Sequence, residues 1–223
     1  MTKQDPRIHI CDDWISIAFA DRKNLLAAQR ALSTGDHWTE IVPGIDTVAV
    51  QFDPALTAPE EAADLVRNQL QNPVEVDTDL RPERVIPVCY DPDMAPDREF
   101  VANQLGIAAE ALSSWHASKT FNVTMLGFMP GFAYLEADMD IPSIGRLSEP
   151  RQSVPAGSIG IIGRQSCIYS FDSPGGWPII GQTPLPLFDP ATNPPALLSA
   201  GQSVRFEAIS TEEFEDQAAG KHR

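Results

Sequence analysis

The chain has 223 residues, 43% hydrophobic and 21% charged, a globular mixture that excludes wholesale disorder. Sixteen basic against 31 acidic residues give a net charge of −15 and a pI near 4.5. That balance argues against nucleic-acid and anionic-lipid partners, which need a basic face to displace their counterions.

In chain order, Ile8 to Phe19 reads as a strand or hairpin with Ile15, Ile17 and Phe19 on one face. Arg22 to Leu32 carries Leu25, Ala28 and Leu32 at helical spacing. Thr39–Val42 and Thr47–Phe52 read as strands around the Pro43-Gly44 turn. Pro59 to Leu70 reads as a helix opened by a proline and two glutamates. The order predicts a small α+β sandwich, and the polar, proline-bearing 73–84 stretch predicts a boundary, dividing the chain into 1–84 and 85–223.

Past the boundary, a strand is expected over Arg84–Tyr90 and helices over Asp97–Leu105 and Ala108–His116, with β structure from Val123 onward. Eleven of the 20 prolines fall between Pro130 and Pro195 and nine of the 14 glycines between Gly127 and Gly181. Long helices are therefore excluded there, because proline removes a backbone donor and fixes φ. The tail, with Glu207, Glu212, Glu213, Glu215 and Asp216, reads as a solvated acidic end.

Cys11, Cys89 and Cys167 are too widely spaced for a disulfide framework or a zinc site. Cys11 and Cys89, in apolar stretches, are expected to be buried thiols. His9, His37, His116 and His222 suggest no metal set. With no apolar leader in the first residues and no run of about 18 apolar residues, a cytoplasmic protein without membrane contact is expected.

No P-loop, GxSxG, HExxH or CxxC signature is present. Three turn-rich segments carry the chemistry instead. In Leu126–Leu135 the Pro130-Gly131 pair has type II turn chemistry, and Phe128, Phe132 and Tyr134 are candidate pocket walls. In Glu149–Ser158, Arg151 suits a carboxylate or phosphate, or pairs with a local acid such as Glu149; Pro155 leads into the strand Ile159–Ile162. In Gln165–Pro178, the amides after Pro174 at Gly175-Gly176 suit an anion, and Trp177 offers a flat wall. Gln165, Tyr169, Ser173 and Thr183 supply hydrogen-bonding groups, the usual format of a binding site.

These segments in this order, with Pro87-Val88-x-Tyr90 and Asp97-x-Glu99-x-Val101-Ala102 upstream, resemble the allophanate hydrolase subunit 1 family. That family includes an inhibitor of sporulation kinase A and the B-type subunit of bacterial ATP-dependent 5-oxoprolinase. The resemblance implies that the second domain is a cyclophilin-like β-barrel. It also implies an ATP-dependent, lactam- or urea-derived amide hydrolase. Its partners would be a carboxyltransferase-like subunit (the C type of 5-oxoprolinase) and a lactam-utilisation subunit (the A type). ATP and Mg would be handled by the complex, with no cofactor bound by this chain alone. His116 is the one histidine in the matched region and the candidate proton carrier, set against a structural histidine at a helix end. Departures stand at Gly145-Arg146, where the family commonly has Pro-Arg, at Arg164–Cys167, and at Gln182, where it commonly has arginine. The competing readings are a urea carboxylase-associated subunit and a binding module that inhibits a sensor histidine kinase.

Overall fold

The computed structural model describes residues 7–71, 83–137 and 144–220. The chain divides into two compact units, Met1–Leu80 and Arg81–Arg223. Most of the polar stretch read as a boundary, residues 73–82, lies outside the described residues.

In the first unit, β1 (Arg7–Cys11) and β2 (Trp14–Ala18) form a hairpin. Then come α1 (Arg22–Leu32), β3 (Glu40–Pro43), β4 (Thr47–Gln51) and α2 (Pro59–Gln71). The sheet is antiparallel in the order β1-β2-β4-β3. Alternation sends Ile15, Ile17, Val48 and Val50 to one face, where Leu25 and Leu32 of α1 and Ala62 and Val66 of α2 cover them. The Asp21 carboxylate caps α1 by accepting from the Asn24 amide at 2.9 Å. Cys11 departs from expectation: it is exposed, because it ends an edge strand at the hairpin turn.

The second unit is a closed seven-strand barrel beside a two-stranded ribbon. It begins with β5 (Arg84–Cys89), α3 (Arg98–Leu105), a 3-10 turn (Ala109–Ala111) and α4 (Leu112–Ala117). There follow β6 (Thr120–Leu126), β7 (Ala133–Ala137), β8 (Arg151–Val154), β9 (Ser158–Ile162) and β10 (Gln165–Ile168). β11 (Ser173–Gly175), β12 (Ile179–Gln182), β13 (Ser203–Ile209) and α5 (Thr211–Ala219) complete it. The barrel runs β10-β7-β6-β13-β5-β12-β9, with β8 and β11 outside it as the ribbon. Its closure depends on the parallel pairing of β13 with β5, strands from opposite ends of the unit.

The barrel core holds Ile86, Val88, Phe121, Val123, Leu135, Ile159, Ile168, Ile180, Val204 and Phe206, joined by Leu187 and Leu198 from the long β12–β13 connection. The acidic tail is solvent-facing, with Glu207 on β13 and Glu212, Glu213, Glu215 and Asp216 on the helix α5. Ser210 and Glu213 form a capping box at the start of α5, where the prolines have ended. α5 also ties back to the barrel, where the Thr211 hydroxyl donates to the Asp91 carboxylate.

Turn chemistry fixes the barrel's upper edge at Gly157. Its φ is +80°, its amide donates to the Tyr169 carbonyl at 2.7 Å, and a Cβ there would collide with the Thr183 carbonyl oxygen. Gly157→Ala is therefore expected to cost about 2 kcal/mol or more, since it combines a left-handed backbone with overlap on rigid backbone. Urea unfolding of the variant beside the wild type measures it.

Candidate functional site

The three turn-rich segments converge. Cys167 on β10 faces Tyr134 on β7 in register, joining the first segment to the third. The β8–β11 ribbon pairs Val154 with Ser173 and Arg151 with Gly175, joining the second to the third. Backbone bonds from Tyr169 N–H to the Ser158 carbonyl (3.0 Å) and from Thr183 N–H to the Gly157 carbonyl (2.9 Å) lock the turns together. The Met129–Phe132 turn closes with a 3.1 Å bond from Phe132 N–H to the Met129 carbonyl, and Gly131 takes φ +75°. That is the type II geometry expected of Pro130-Gly131.

Between the barrel wall and the ribbon lies a second, smaller core of Phe132, Val154, Cys167, Tyr169, Trp177 and Ile179, edged by Met129, Tyr134 and Ile162. The rings meet edge-on or tilted: Phe132–Tyr169 at 5.0 Å, Phe132–Tyr134 at 4.8 Å and Tyr134–Trp177 at 6.2 Å between centroids. Two glycines make room for them. A Cβ at Gly160 would lie 2.8 Å from Cys167 Sγ and 2.9 Å from Trp177 Cβ, and one at Gly175 would strike the Tyr169 hydroxyl. Phe132, Tyr169 and Trp177 are thus buried as a floor, whereas Tyr134 is half-buried. Phe128 stands 66% exposed with φ +70°, a strained position for an aromatic residue.

Arg151 is committed elsewhere than expected. Its Nη2 donates to Asp97 Oδ1 at 2.8 Å and its Nη1 lies 2.8 Å from Oδ2, so its partner is Asp97 rather than Glu149. Asp97 also accepts from the Ile179 amide at 2.7 Å, and its own amide donates to the Ile179 carbonyl at 3.0 Å. One carboxylate at the head of α3 therefore ties the helix to β12 and to the ribbon. The sequence alone gives Asp97 no such role. An aspartate before a helix signals a cap, and nothing local reveals a partner 54 positions away.

His116 lies fully buried on α4, its ring stacked 4.3 Å from Phe206 and tilted against Phe121 at 5.0 Å. Its Nδ1 shares a 2.7 Å hydrogen bond with the Tyr90 hydroxyl, and Nε2 has no partner among the described residues. Burial pushes its pKa down from 6.5 to about 3, so at neutral pH it is an uncharged imidazole inside the fold. The aromatic floor is formed by other residues.

The remaining candidates ring the floor. Gln165 shares a strand face with Cys167 by alternation and is half-buried. Thr183 is buried, its hydroxyl accepting from the Leu185 amide at 3.3 Å. Ser173 and Pro174 lie on the ribbon, with Ser173 Oγ buried and unpartnered among the described residues. Gly176 accepts from the Leu147 amide at 2.9 Å, and Pro155 starts the turn that ends at Ser158. Gln182 donates to the Ala156 carbonyl at 2.7 Å. Among the described residues no three His, Cys, Asp or Glu side chains converge as a metal set. A separate shallow cleft, lined by Tyr90, Arg98, Glu110 and Leu112, lies beside α3 and α4.

The model of a family described as the carboxyltransferase domain, subdomain C and D, matches residues 10–198. A Bacillus subtilis (strain 168) protein, named as the B subunit of 5-oxoprolinase, is 45% identical over 129 residues, 58% of this chain and 54% of that protein. The chain thus aligns with about half the length of that relative. The protein of the same name from Escherichia coli O157:H7 is 37% identical over 193 residues, 85% of this chain and 87% of that protein. A urea amidolyase of Saccharomyces cerevisiae is 29% identical over 125 residues, 52% of this chain and 7% of that protein. Among solved structures, TTHA0988 superposes with a TM-score of 0.76 at 27% identity, covering 92% of this chain and 40% of that one. The Kluyveromyces lactis urea carboxylase shares the fold, with a TM-score of 0.72 at 17% identity over 95% of this chain and 22% of that one. The resemblance carried by the three segments points to this same group of proteins.

Two measurements test the roles of Asp97 and His116. Asp97→Ala leaves the Arg151 guanidinium and the Ile179 amide without their acceptor and is expected to cost about 2–3 kcal/mol by urea unfolding. His116 gives a pH signature. Unfolded, it takes up a proton below about pH 6.5; folded, only below about pH 3. Its contribution is therefore complete above pH 6.5 and is lost as pH falls, at up to about 1.4 kcal/mol per pH unit. In His116→Phe that part of the slope between pH 6 and 4 is expected to vanish.

Proposed function

This chain belongs to the carboxyltransferase subdomain C and D family, and on that footing we propose that it is the B-type subunit of an ATP-dependent amide hydrolase opening 5-oxoproline or a related lactam. The observation that carries this reading is the 37% identity to the B-type 5-oxoprolinase subunit of Escherichia coli across 87% of that protein's length. Its partners in this reading are carboxyltransferase-like and lactam-utilisation subunits, in the cytoplasm where ATP is available.

Lactam opening is hard because amide resonance shields the carbon and the ring nitrogen leaves poorly. Transfer of the γ-phosphoryl group of ATP to the amide oxygen makes that carbon electrophilic. Water then adds, the protonated nitrogen leaves as the amine, and a second water hydrolyses the resulting acyl phosphate. These steps need a positioned substrate and donors aimed at the developing charge. Phosphoryl transfer also needs a nucleotide–metal site. In this reading the nucleotide step belongs to the companion subunits. This chain's share is positioning. The buried aromatic layer stiffens the motif face, and the Asp97–Arg151 tie holds the ribbon against it.

A urea-derived amide is the second reading, favoured by the similarity to a yeast urea amidolyase. Assay of the three-subunit complex separates the two. ATP-dependent release of glutamate from 5-oxoproline, absent when this chain is omitted, is the expected result. A correctly assembled complex that leaves 5-oxoproline intact and cleaves allophanate or urea instead would transfer the assignment to the second reading, and inertness toward all of them would end both.

A further inference from the structure

We propose that the exposed rings of Phe128 and Phe171, joined through Phe188 and bordered by Asp172 and Asp189, form the surface on which this chain docks its carboxyltransferase-like companion. The companion meets it with apolar side chains flanked by lysine or arginine. The proposal rests on the amide-hydrolase reading and adds to it where that partner binds and by what chemistry.

Phe128 and Phe171 are 66% and 44% exposed, and Phe188 is half-buried. Direct contacts link them. Phe128 packs edge-on against Phe132 at 5.3 Å between centroids. The neighbouring Gly131 sits on Phe188, since a Cβ there would lie 2.7 Å from both Phe188 Cβ and the Leu187 carbonyl oxygen. Phe188 in turn lies 6.1 Å from Phe171. Short bonds hold each ring's loop: Gly127 N–H to the Phe132 carbonyl at 3.2 Å, Ala156 N–H to Asp172 Oδ1 at 2.8 Å, and Asp189 N–H to the Pro195 carbonyl at 2.8 Å. Rings on loops fixed in this way lose little freedom when a partner covers them. Phe128 is also held against its backbone preference, because φ +70° suits glycine or asparagine and not phenylalanine. Two-thirds of that residue faces solvent, so the strain is offset by a partner's contacts more than by this chain's own core.

Charge decides the occupant. Leu126–Leu135 carries no charged residue, and between Gln165 and Val204 the sequence has Asp172 and Asp189 as its only charged residues. Both are exposed, and each directly follows one of the rings, Phe171 and Phe188. The segments that build the strip are therefore acidic, in a chain of net charge −15. A second copy of this chain would set like charge against like, which disfavours it. Phenyl faces beside carboxylates favour a guanidinium or ammonium group instead, because both attract it. The matching family is described as subdomains C and D of a carboxyltransferase domain, and in TTHA0988 the matched part is 40% of a longer chain. The remaining subdomains of such a domain are the polypeptide assigned to this surface.

The test measures binding of the full chain to the purified carboxyltransferase-like companion. Phe128→Asn suits the left-handed backbone and removes the ring. Combined with Phe171→Ser, it should weaken binding about ten- to a hundredfold while the urea midpoint of the chain alone stays at the wild-type value. Asp172→Asn with Asp189→Asn keeps the oxygens that accept from the Ala156 and Ala191 amides and removes the charge. In that variant association should slow and lose most of its salt dependence. Phe100→Ser, which removes an exposed ring on α3 outside the strip, should bind as wild type does. Wild-type binding by both strip variants, an equal loss in Phe100→Ser, or no binding by the wild-type chain would each overturn the proposal. So would a wild-type chain that dimerises through Phe128 and Phe171. If the strip variants lose the companion as expected but the wild-type complex with ATP leaves 5-oxoproline intact, the hydrolase reading fails and the docking surface stands.

Discussion

A layer of large rings lies against the outside of a β-barrel only where the wall leaves space, and that requirement governs the second unit's motif face. Gly160 on β9 admits Cys167 and Trp177, and Gly175 on the ribbon admits the Tyr169 hydroxyl. Burying each aromatic side chain contributes on the order of 2–3 kcal/mol, so the two glycines convert a barrel surface into a second core. The proline-glycine turns at 130–131 and the Pro155–Ser158 turn then bring their loops to the edge of this layer, because their backbones fit only that geometry.

The charged groups follow the same plan. Asp97 is placed at the junction of α3, β12 and the ribbon, where it satisfies one guanidinium and one backbone amide at once. A carboxylate with those partners is well compensated despite being nearly buried. The cost is that Arg151 is no longer available to a ligand.

Local chemistry is legible in the sequence where it is sufficient. α1 spans Arg22–Leu32 as its periodicity predicts, and α2 opens at Pro59 as its proline and glutamates predict. The Pro130-Gly131 turn is readable from two residues. Long-range facts are not. Nothing in β13 announces that it pairs in parallel with β5 to close the barrel. Nothing near Arg151 names Asp97 as its partner. Composition marks the tail as a solvated end, but Ser210 and Glu213 at capping-box spacing carry the signal for α5. The apolar neighbours of Cys11 suggest burial, yet an edge strand exposes what a central one would cover. The aromatic residues are visible as a group, but whether they wall an opening or pack as a floor depends on the glycines opposite them, which belong to other segments of the chain.

The idea that the glycine- and proline-built face is where this protein meets its companions and its substrate has one direct test: amide hydrogen exchange along this chain, alone and then in the complex with 5-oxoproline. Protection concentrated in residues 126–132, 144–152 and 170–178 is the predicted result. Protection confined to other surfaces, such as α5 or the β3–β4 hairpin, with those three stretches unchanged, would contradict it.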